Sequence, residues 1–299
     1  MTSEAVDRST GLGGTDISAI VGLSPYKTAF DVWAEKTGQL APKPPNKRMR
    51  FGKMLEQVIA TMYCAEMEER TGREYIVTWV DRPLHREHRP WQVYSPDAFV
   101  EIKPNHLWEC GIDCKNVALD QWHQWGEPGT DEVPEHIACQ FHWYMSATEL
   151  PRWDAAVLLG GNDLKIYTVM RDPQIEAVLL EQGERWWKRH IIEGEQPEIG
   201  AGEGARRYLR ERFPRNVSEI RPATEPELIL LSQYSGVRER FQVLEEQKEV
   251  LENKIKLAIG DADGISFAGG RITYKLVKGC TYTVTKEPYR RFDYRETKK

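Results

Sequence analysis

The sequence predicts an α/β fold, with a central mixed β-sheet flanked by helices and a C-terminal helix and β-hairpin extension. Three observations predict it. Apolar residues switch repeatedly between helical spacing and strict alternation in the first two thirds of the chain. A Gly-Gly-Asn-Asp turn joins two strand-like runs near residue 160. A long charged helical stretch followed by β-rich alternation closes the chain. At 299 residues, one large domain with appendages is the simplest reading. We divide it into a core over 1–200, a linker over 201–224 and an extension over 225–299.

The elements follow in order. GLGGTDISAIVGLSPYKTAFDVWAEKTGQL, residues 11–40, predicts a glycine turn, a short helix ending near Gly22, a Ser-Pro loop and a second helix stopped by Gly38. After the proline-rich APKPPNK comes a strong helix with Phe51, Leu55, Val58, Ile59, Met62 and Tyr63 on one face, ending at Gly72. Strands are predicted over 75–80, 92–100 and 107–117. A helix over 134–147 carries Ile137, Phe141, Tyr144 and Met145 on one stripe. DAAVLLGGNDLKIYTVMRD gives two strands, and a helix follows from Pro173 to about Glu193. Residues 195–225 are rich in Gly, Pro, Arg and Glu and are expected to hold little fixed structure. Beyond them a charged helix over 225–259, with a break allowed near Ser235 and Gly236, precedes β-rich alternation over 265–284.

Composition narrows the class. Hydrophobic residues at 40% and charged residues at 29% suit a soluble globular chain and argue against disorder. No run approaches a membrane span, and MTSEAVDRST has no apolar signal core, so a cytoplasmic protein is expected. The cysteines Cys64, Cys110, Cys114, Cys139 and Cys280 lack paired CxxC spacing, which favours buried free thiols over zinc or iron-sulfur sites. With a net charge of -5, bulk charge does not announce a nucleic-acid binder, and any such activity needs local positive charge.

WECGIDCKN carries the most chemistry. Strand alternation puts Trp108, Cys110, Ile112 and Cys114 on one face and Glu109, Gly111, Asp113 and Lys115 on the other. An acid and a lysine two residues apart can hold a divalent cation beside an ammonium, which suits phosphodiester hydrolysis. Hard cations take oxygen ligands, and carboxylates are their natural protein donors. In VYSPDAFVE, Pro96 ends or bends a strand and leaves Asp97 near the sheet edge. Lys115 could orient or deprotonate water or stabilise transition-state charge, and the residues leave these roles open. A lone D-x-K is commonly a solvated face. At about 100° per residue, Glu56 falls on the border of its helix's apolar stripe, within reach of the sheet or of solvent. Gln140 lies within its helix's stripe and needs partners, either backbone or the lysine and an attacking water. The helix start at GLGGTDIS, with Thr15 or a glycine near the cap, suits ordinary capping or a DNA phosphate, with Arg8 as a clamp.

Taken together and in order, GLGGTDISAIVGLSPYKTAFDVWAEKTG, RFGKMLEQVIATMY, SPDAF, GIDCKN, PEHIACQFHWYMSAT, the AAVLLGG hairpin and the helix containing RWWKR resemble the YqaJ-type viral recombinases, phage-lambda-exonuclease-like nucleases. The resemblance implies a PD-(D/E)XK restriction-endonuclease-like core and an enzyme that degrades linear double-stranded DNA from 5′ ends. The remaining 3′ single strands would serve a phage annealing protein. It implies Mg²⁺, with Mn²⁺ as a substitute, held by Glu56, Asp97, Asp113 and the carbonyl of Cys114. Lys115 would be the catalytic lysine, Gln140 its supporting glutamine, and Arg8 and Thr15 would handle the terminal phosphate. It also implies a phage or prophage gene product acting in the bacterial cytoplasm, in a family whose members can form rings around DNA. Asp113 stands where glutamate is more frequent, which shortens the reach to a metal by one methylene. The alternatives are an endonuclease of the same fold and a non-cleaving DNA-binding scaffold derived from it.

Overall fold

The computed structural model describes residues 3–5, 7–41, 44–103, 108–215, 220–279, 281, 292 and 294, with the backbone alone at 3–5 and 8. The chain divides into two compact units, Met1–Pro214 and Arg215–Lys299.

In the first unit, helix starts are written in short-range hydrogen bonds. Helix α1 (Gly14–Ile20) begins where the Asp16 carboxylate accepts from the Gly13 N–H at 3.0 Å. Helix α2 (Ala29–Lys36) has a reciprocal capping box: Thr28 Oγ1 accepts from the Asp31 N–H, and Asp31 Oδ2 from the Thr28 N–H. Asn46 caps the long helix α3 (Lys47–Thr71). Helix α4 (Glu135–Thr148) follows Pro134. Helix α5 (Pro173–Trp187), capped by Asp172, runs into a π-helical turn, Lys188–Ile192.

A small sheet joins β1 (Ser3–Ala5), β3 (Leu84–Arg86) and β4 (Arg89–Tyr94). The main sheet has β2 (Tyr75–Trp79), β5 (Ala98–Ile102), β6 (Trp108–Val117), β7 (Arg152–Leu159) and β8 (Asp163–Met170), in the order β2-β5-β6-β7-β8. Strands β6 and β7 run parallel with α4 as the crossover, and the other pairs are antiparallel. The single strand expected over 92–100 is therefore two strands in different sheets. Ser95, Pro96 and Asp97 form the break, because proline cannot donate to a ladder.

Both sheet faces are covered. On one, Phe99, Trp153, Ala155, Val157 and Tyr167 join Ile17 of α1, Phe30 of α2, Phe141 and Trp143 of α4 and Leu179 of α5. On the other, Ala98, Val100, Cys110, Ile112, Cys114 and Ala156 meet Ile59, Ala60 and Tyr63 of α3. The expectation for Trp108 needs correction. A register shift between Val100 and Glu101 takes it out of step with Cys110, and it stacks on Phe99 with ring centroids 4.3 Å apart, 41% exposed.

The linker expected over 201–224 also needs correction at its start. Residues Glu203–Arg212 form helix α6, with Ala205 buried and Tyr208 edge-on to Phe30 at 5.1 Å. Helix α7 (Glu225–Ile259) is the longest element of the second unit and is unbroken at Ser235 and Gly236. A hairpin of β9 (Gly264–Phe267) and β10 (Gly270–Thr273) follows. Residues 282–284 of the expected β-rich tail, and Cys280, lie outside the described residues. The thiols of Cys64, Cys110, Cys114 and Cys139 are free. Among the described residues no helix is long and apolar enough to cross a membrane.

Beneath α3, Asp154 of β7 is fully buried. Its carboxylate accepts from Tyr63 Oη at 2.6 Å and Thr168 Oγ1 at 2.8 Å, and Arg152 Nη2 stands 3.6 Å away. These bonds pin α3 to the sheet, since a buried carboxylate without partners is costly. Tyr63→Phe is expected to lower the unfolding free energy by about 2 kcal/mol in urea titration. A loss below roughly 0.5 kcal/mol would show that the hydroxyl is dispensable.

Candidate active site

Strand β6 is the platform. Asp113 points into the face covered by α4 and is only 2% exposed. It is surrounded by donors: Lys115 Nζ at 2.8 Å and Gln140 Nε2 at 3.2 Å on Oδ2, and Trp153 Nε1 at 3.3 Å on Oδ1. Gln140 also donates to Tyr144 Oη at 2.8 Å, and that hydroxyl donates to the Ser95 carbonyl at 3.1 Å. One turn of α4 thus ties Asp113 to the loop that carries Asp97.

Asp97 lies in the break between β4 and β5. Its Oδ2 accepts from the Cys114 backbone N–H at 2.8 Å, where β5 no longer flanks β6. In a strand, a residue's N–H and C=O point to the same edge, so the Cys114 carbonyl faces the same gap. Asp97 is electrostatically crowded. Burial, then the charge of Asp113, and more weakly Glu56, push its pKa up to about 7, although Lys115 and the Cys114 N–H oppose the shift. Burial disfavours the Lys115 ammonium, but Asp113 and Asp97 outweigh it and hold the group above the ordinary lysine range.

Glu56 approaches from α3, the helix on the opposite sheet face. It lines a cleft of about 300 Å³ with Lys53, Trp79, Asp81 and Asp97, and pairs with Lys53 at 2.6 Å. The structure therefore brings Asp113, Lys115 and Gln140 into one bonded network, sets Asp97 beside it on the Cys114 N–H, and places Glu56 on the wall of the cleft that Asp97 also lines. Among the described residues, no three His, Cys, Asp or Glu side chains stand in a ready metal-holding cluster. The donors that could serve a cation are the oxygens of Asp97, Asp113 and Glu56 and the Cys114 carbonyl, all hard ligands.

The anion-site candidates fare unevenly. Thr15 is the one exposed residue in the otherwise buried first turn of α1, and that turn is packed directly on the site helix: a Cβ on Gly14 would come within 2.7 Å of Gln140 Cγ. Arg8 belongs to a single 3-10 turn, and its side chain lies outside the described residues.

Sequence reasoning missed Trp153, Tyr144 in its bonding role, and His136. Gly111 was the signal for Trp153. A Cβ there would meet the indole at 2.3 Å, so a glycine inside a strand marked a close approach. Tyr144 stands one turn beyond Gln140, the spacing at which helical side chains meet. His136, edge-on to Tyr26 with centroids 5.7 Å apart, is held below the ordinary histidine range by burial and then by Lys115, and no signal in the sequence marked it.

A mixed sheet with a Pro96-Asp97 edge loop, Asp113-x-Lys115 on the adjoining strand and a glutamine on the crossover helix is the arrangement expected of the PD-(D/E)XK core that the sequence resembles. Comparison points the same way: residues 6–151 match the model of the YqaJ-like viral recombinase domain. The Bacillus subtilis (strain 168) protein described as uncharacterized protein YqaJ is 25% identical over 262 residues, spanning 86% of this chain and 78% of its own. Among solved structures, an alkaline exonuclease from Laribacter hongkongensis matches with a TM-score of 0.46 and 16% identity, over 62% of this chain and 90% of that one. A phage-related exonuclease from Haemophilus somnus 129PT matches with a TM-score of 0.44 and 12% identity, over 64% and 98%.

The crowding has a measurable cost. Asp97's pKa rises in the fold from 3.8 to about 7, so over that interval the folded chain holds a proton that the unfolded chain releases. Stability falls as pH rises through the interval, and the whole penalty is present above pH 7. With chelator present, Asp97→Asn is expected to raise Tm at pH 8 by about 5 °C, with the gain shrinking toward pH 5. A Tm at pH 8 equal to or below that of the parent would contradict this account.

Proposed function

We propose that the chain is a Mg²⁺-dependent exonuclease that degrades linear double-stranded DNA in the 5′-to-3′ direction. The 3′ single strands it leaves would serve an annealing protein in phage recombination, inside the bacterial cytoplasm. The observation that carries the reading is the buried Asp113 carboxylate, held between Lys115, Gln140 and Trp153 and set beside Asp97. The YqaJ-like viral recombinase domain supports the recombination context.

Asp97, Asp113, Glu56 and the Cys114 carbonyl would hold the cation, and Mn²⁺ should replace Mg²⁺ on such oxygen donors. The fit rests on donor chemistry and on the repulsion among these carboxylates, which a cation relieves. When bound, the ion would polarise the scissile phosphate and neutralise developing charge.

The chain's own residues do the rest. Lys115 is an ammonium that donates and cannot accept, so it would orient the attacking water and offset negative charge on the phosphate. Gln140, braced by Tyr144, fixes Asp113 and with it the lysine. The exposed Thr15, with Arg8 upstream, would receive the 5′-terminal phosphate of the duplex. A ring of several copies around DNA would suit a processive enzyme.

The test compares a linear 5′-phosphorylated duplex with closed circular DNA, with Mg²⁺ or chelator. Linear duplex is expected to shorten from its 5′ ends only when metal is present, while circles survive. Lys115→Ala should slow cleavage by about 100- to 10,000-fold with DNA binding largely retained, because phosphate contacts elsewhere supply most affinity. Cutting of closed circles would make the chain an endonuclease, and metal-independent binding without cleavage would make it a scaffold.

A further inference from the structure

Helix α7 is 35 residues long and leaves an unusual amount of apolar surface open. Leu230, Val237, Leu244 and Leu251 are each 53–63% exposed, and they recur every seven residues, with Ala258 continuing the series. Four residues after the first, second and fourth of these come Tyr234, Phe241 and Ile255. The 4-3 spacing, sustained over four heptads, is the seam of a two-stranded coiled coil, with the first set at d positions and the second at a positions. An exposed apolar seam of this length marks a surface that another helix can cover.

Lys248 occupies the remaining a position. A single polar residue there costs stability and fixes register and copy number. The flanks select the occupant. In a parallel pair, Arg240 at g of one helix faces Glu245 at the following e of the other, twice by symmetry. In an antiparallel pair the g positions, Gln233, Arg240, Gln247 and Lys254, face one another, which brings like charges together. At the amino-terminal end the chain's own Phe292 and Tyr294 stand edge-on to Tyr234 with centroids 5.5 and 5.3 Å away, and the Arg238 guanidinium lies over Tyr294 at 5.0 Å, while Phe241, Leu244 and Leu251 farther along the seam are 58–60% exposed.

We infer that α7 is a self-association element, pairing two copies of this chain through a parallel, in-register coiled coil over Val237–Ala258. The pairing is independent of nuclease chemistry, because no residue of α7 belongs to the site. It would give a pair of nuclease units tethered at one end, so that two DNA ends are handled by one particle.

Site-directed crosslinking of the full-length chain tests it. Leu244→Cys places a thiol at a d position, where parallel in-register helices bring the two copies together. Mild oxidation is expected to give a covalent dimer whose linking peptide, by mass spectrometry, joins residue 244 to residue 244. Arg240→Glu should weaken association about tenfold in sedimentation, and Arg240→Glu with Glu245→Arg should restore it. Leu244→Glu should abolish α7-driven pairing while helicity and cleavage of linear DNA persist. A sedimentation mass unchanged by Leu244→Glu, or failure of the 244–244 link to form, would overturn the inference. So would a charge swap that fails to rescue.

Discussion

A carboxylate that is almost wholly buried in the middle of a sheet must be supplied with donors, and much of the first unit can be understood as the supply to Asp113. Leaving an ionised group unpaired in an apolar layer costs several kcal/mol, roughly the margin by which a domain is stable. Lys115 comes from the same strand, Trp153 from the parallel neighbour and Gln140 from the crossover helix between them. Each donor then makes its own demand. The indole fits only because Gly111 has no side chain, and α1 sits close to Gln140 only because Gly14 has none. Tyr144 extends the network to Ser95 and so fixes the loop that holds Asp97. Five elements are coordinated by the needs of one side chain.

The same arrangement stores repulsion. Burial first, and then the charges of Asp113 and Glu56, raise the proton affinity of Asp97. The scaffold can bear this because both faces of the sheet are packed with large apolar side chains, and because the buried carboxylate of β7, Asp154, is bonded to Tyr63 and Thr168. Asp154 is fully buried and Asp97 only partly so, and their circumstances are opposite. One is satisfied and serves to fasten α3; the other is crowded and gains from any cation that comes near.

Much of this was legible in the sequence. Strand alternation put Asp113 and Lys115 on one face, and Pro96 marked the break that carries Asp97. Gln140 in an apolar stripe announced that it would find a polar partner, and it does. What escaped depended on distances between elements remote in sequence. Trp153 reads as core from its neighbours, and only the pairing of Gly111 with Trp153 across β6 and β7 brings the indole nitrogen to Asp113. The bulge that displaces Trp108 has no marker in the local pattern, because one extra residue reverses every later side chain. The helix Glu203–Arg212 was hidden by its flanks: glycine, proline and charge suggested a linker, whereas Ala205 and Tyr208 dock on α2.

Glu56 shows where the reasoning from one face of a sheet ends. It belongs to α3, across the sheet from Asp113, so no single face carries all three acids. Asp97 is the link, because it accepts from the Cys114 N–H where β5 no longer flanks β6 and lines one cleft with Glu56. In this structure its Oδ2 is bonded to the Cys114 N–H, Asp113 Oδ2 to Lys115 and Gln140, and Glu56 to Lys53. A cation that recruits these oxygens would compete with two lysine ammonium groups, both of which could then turn toward phosphate. Charge neutralisation inside the site and positive charge offered to DNA would thus be one exchange, which resolves how a chain of net charge -5 could hold a polyanion at an acidic centre.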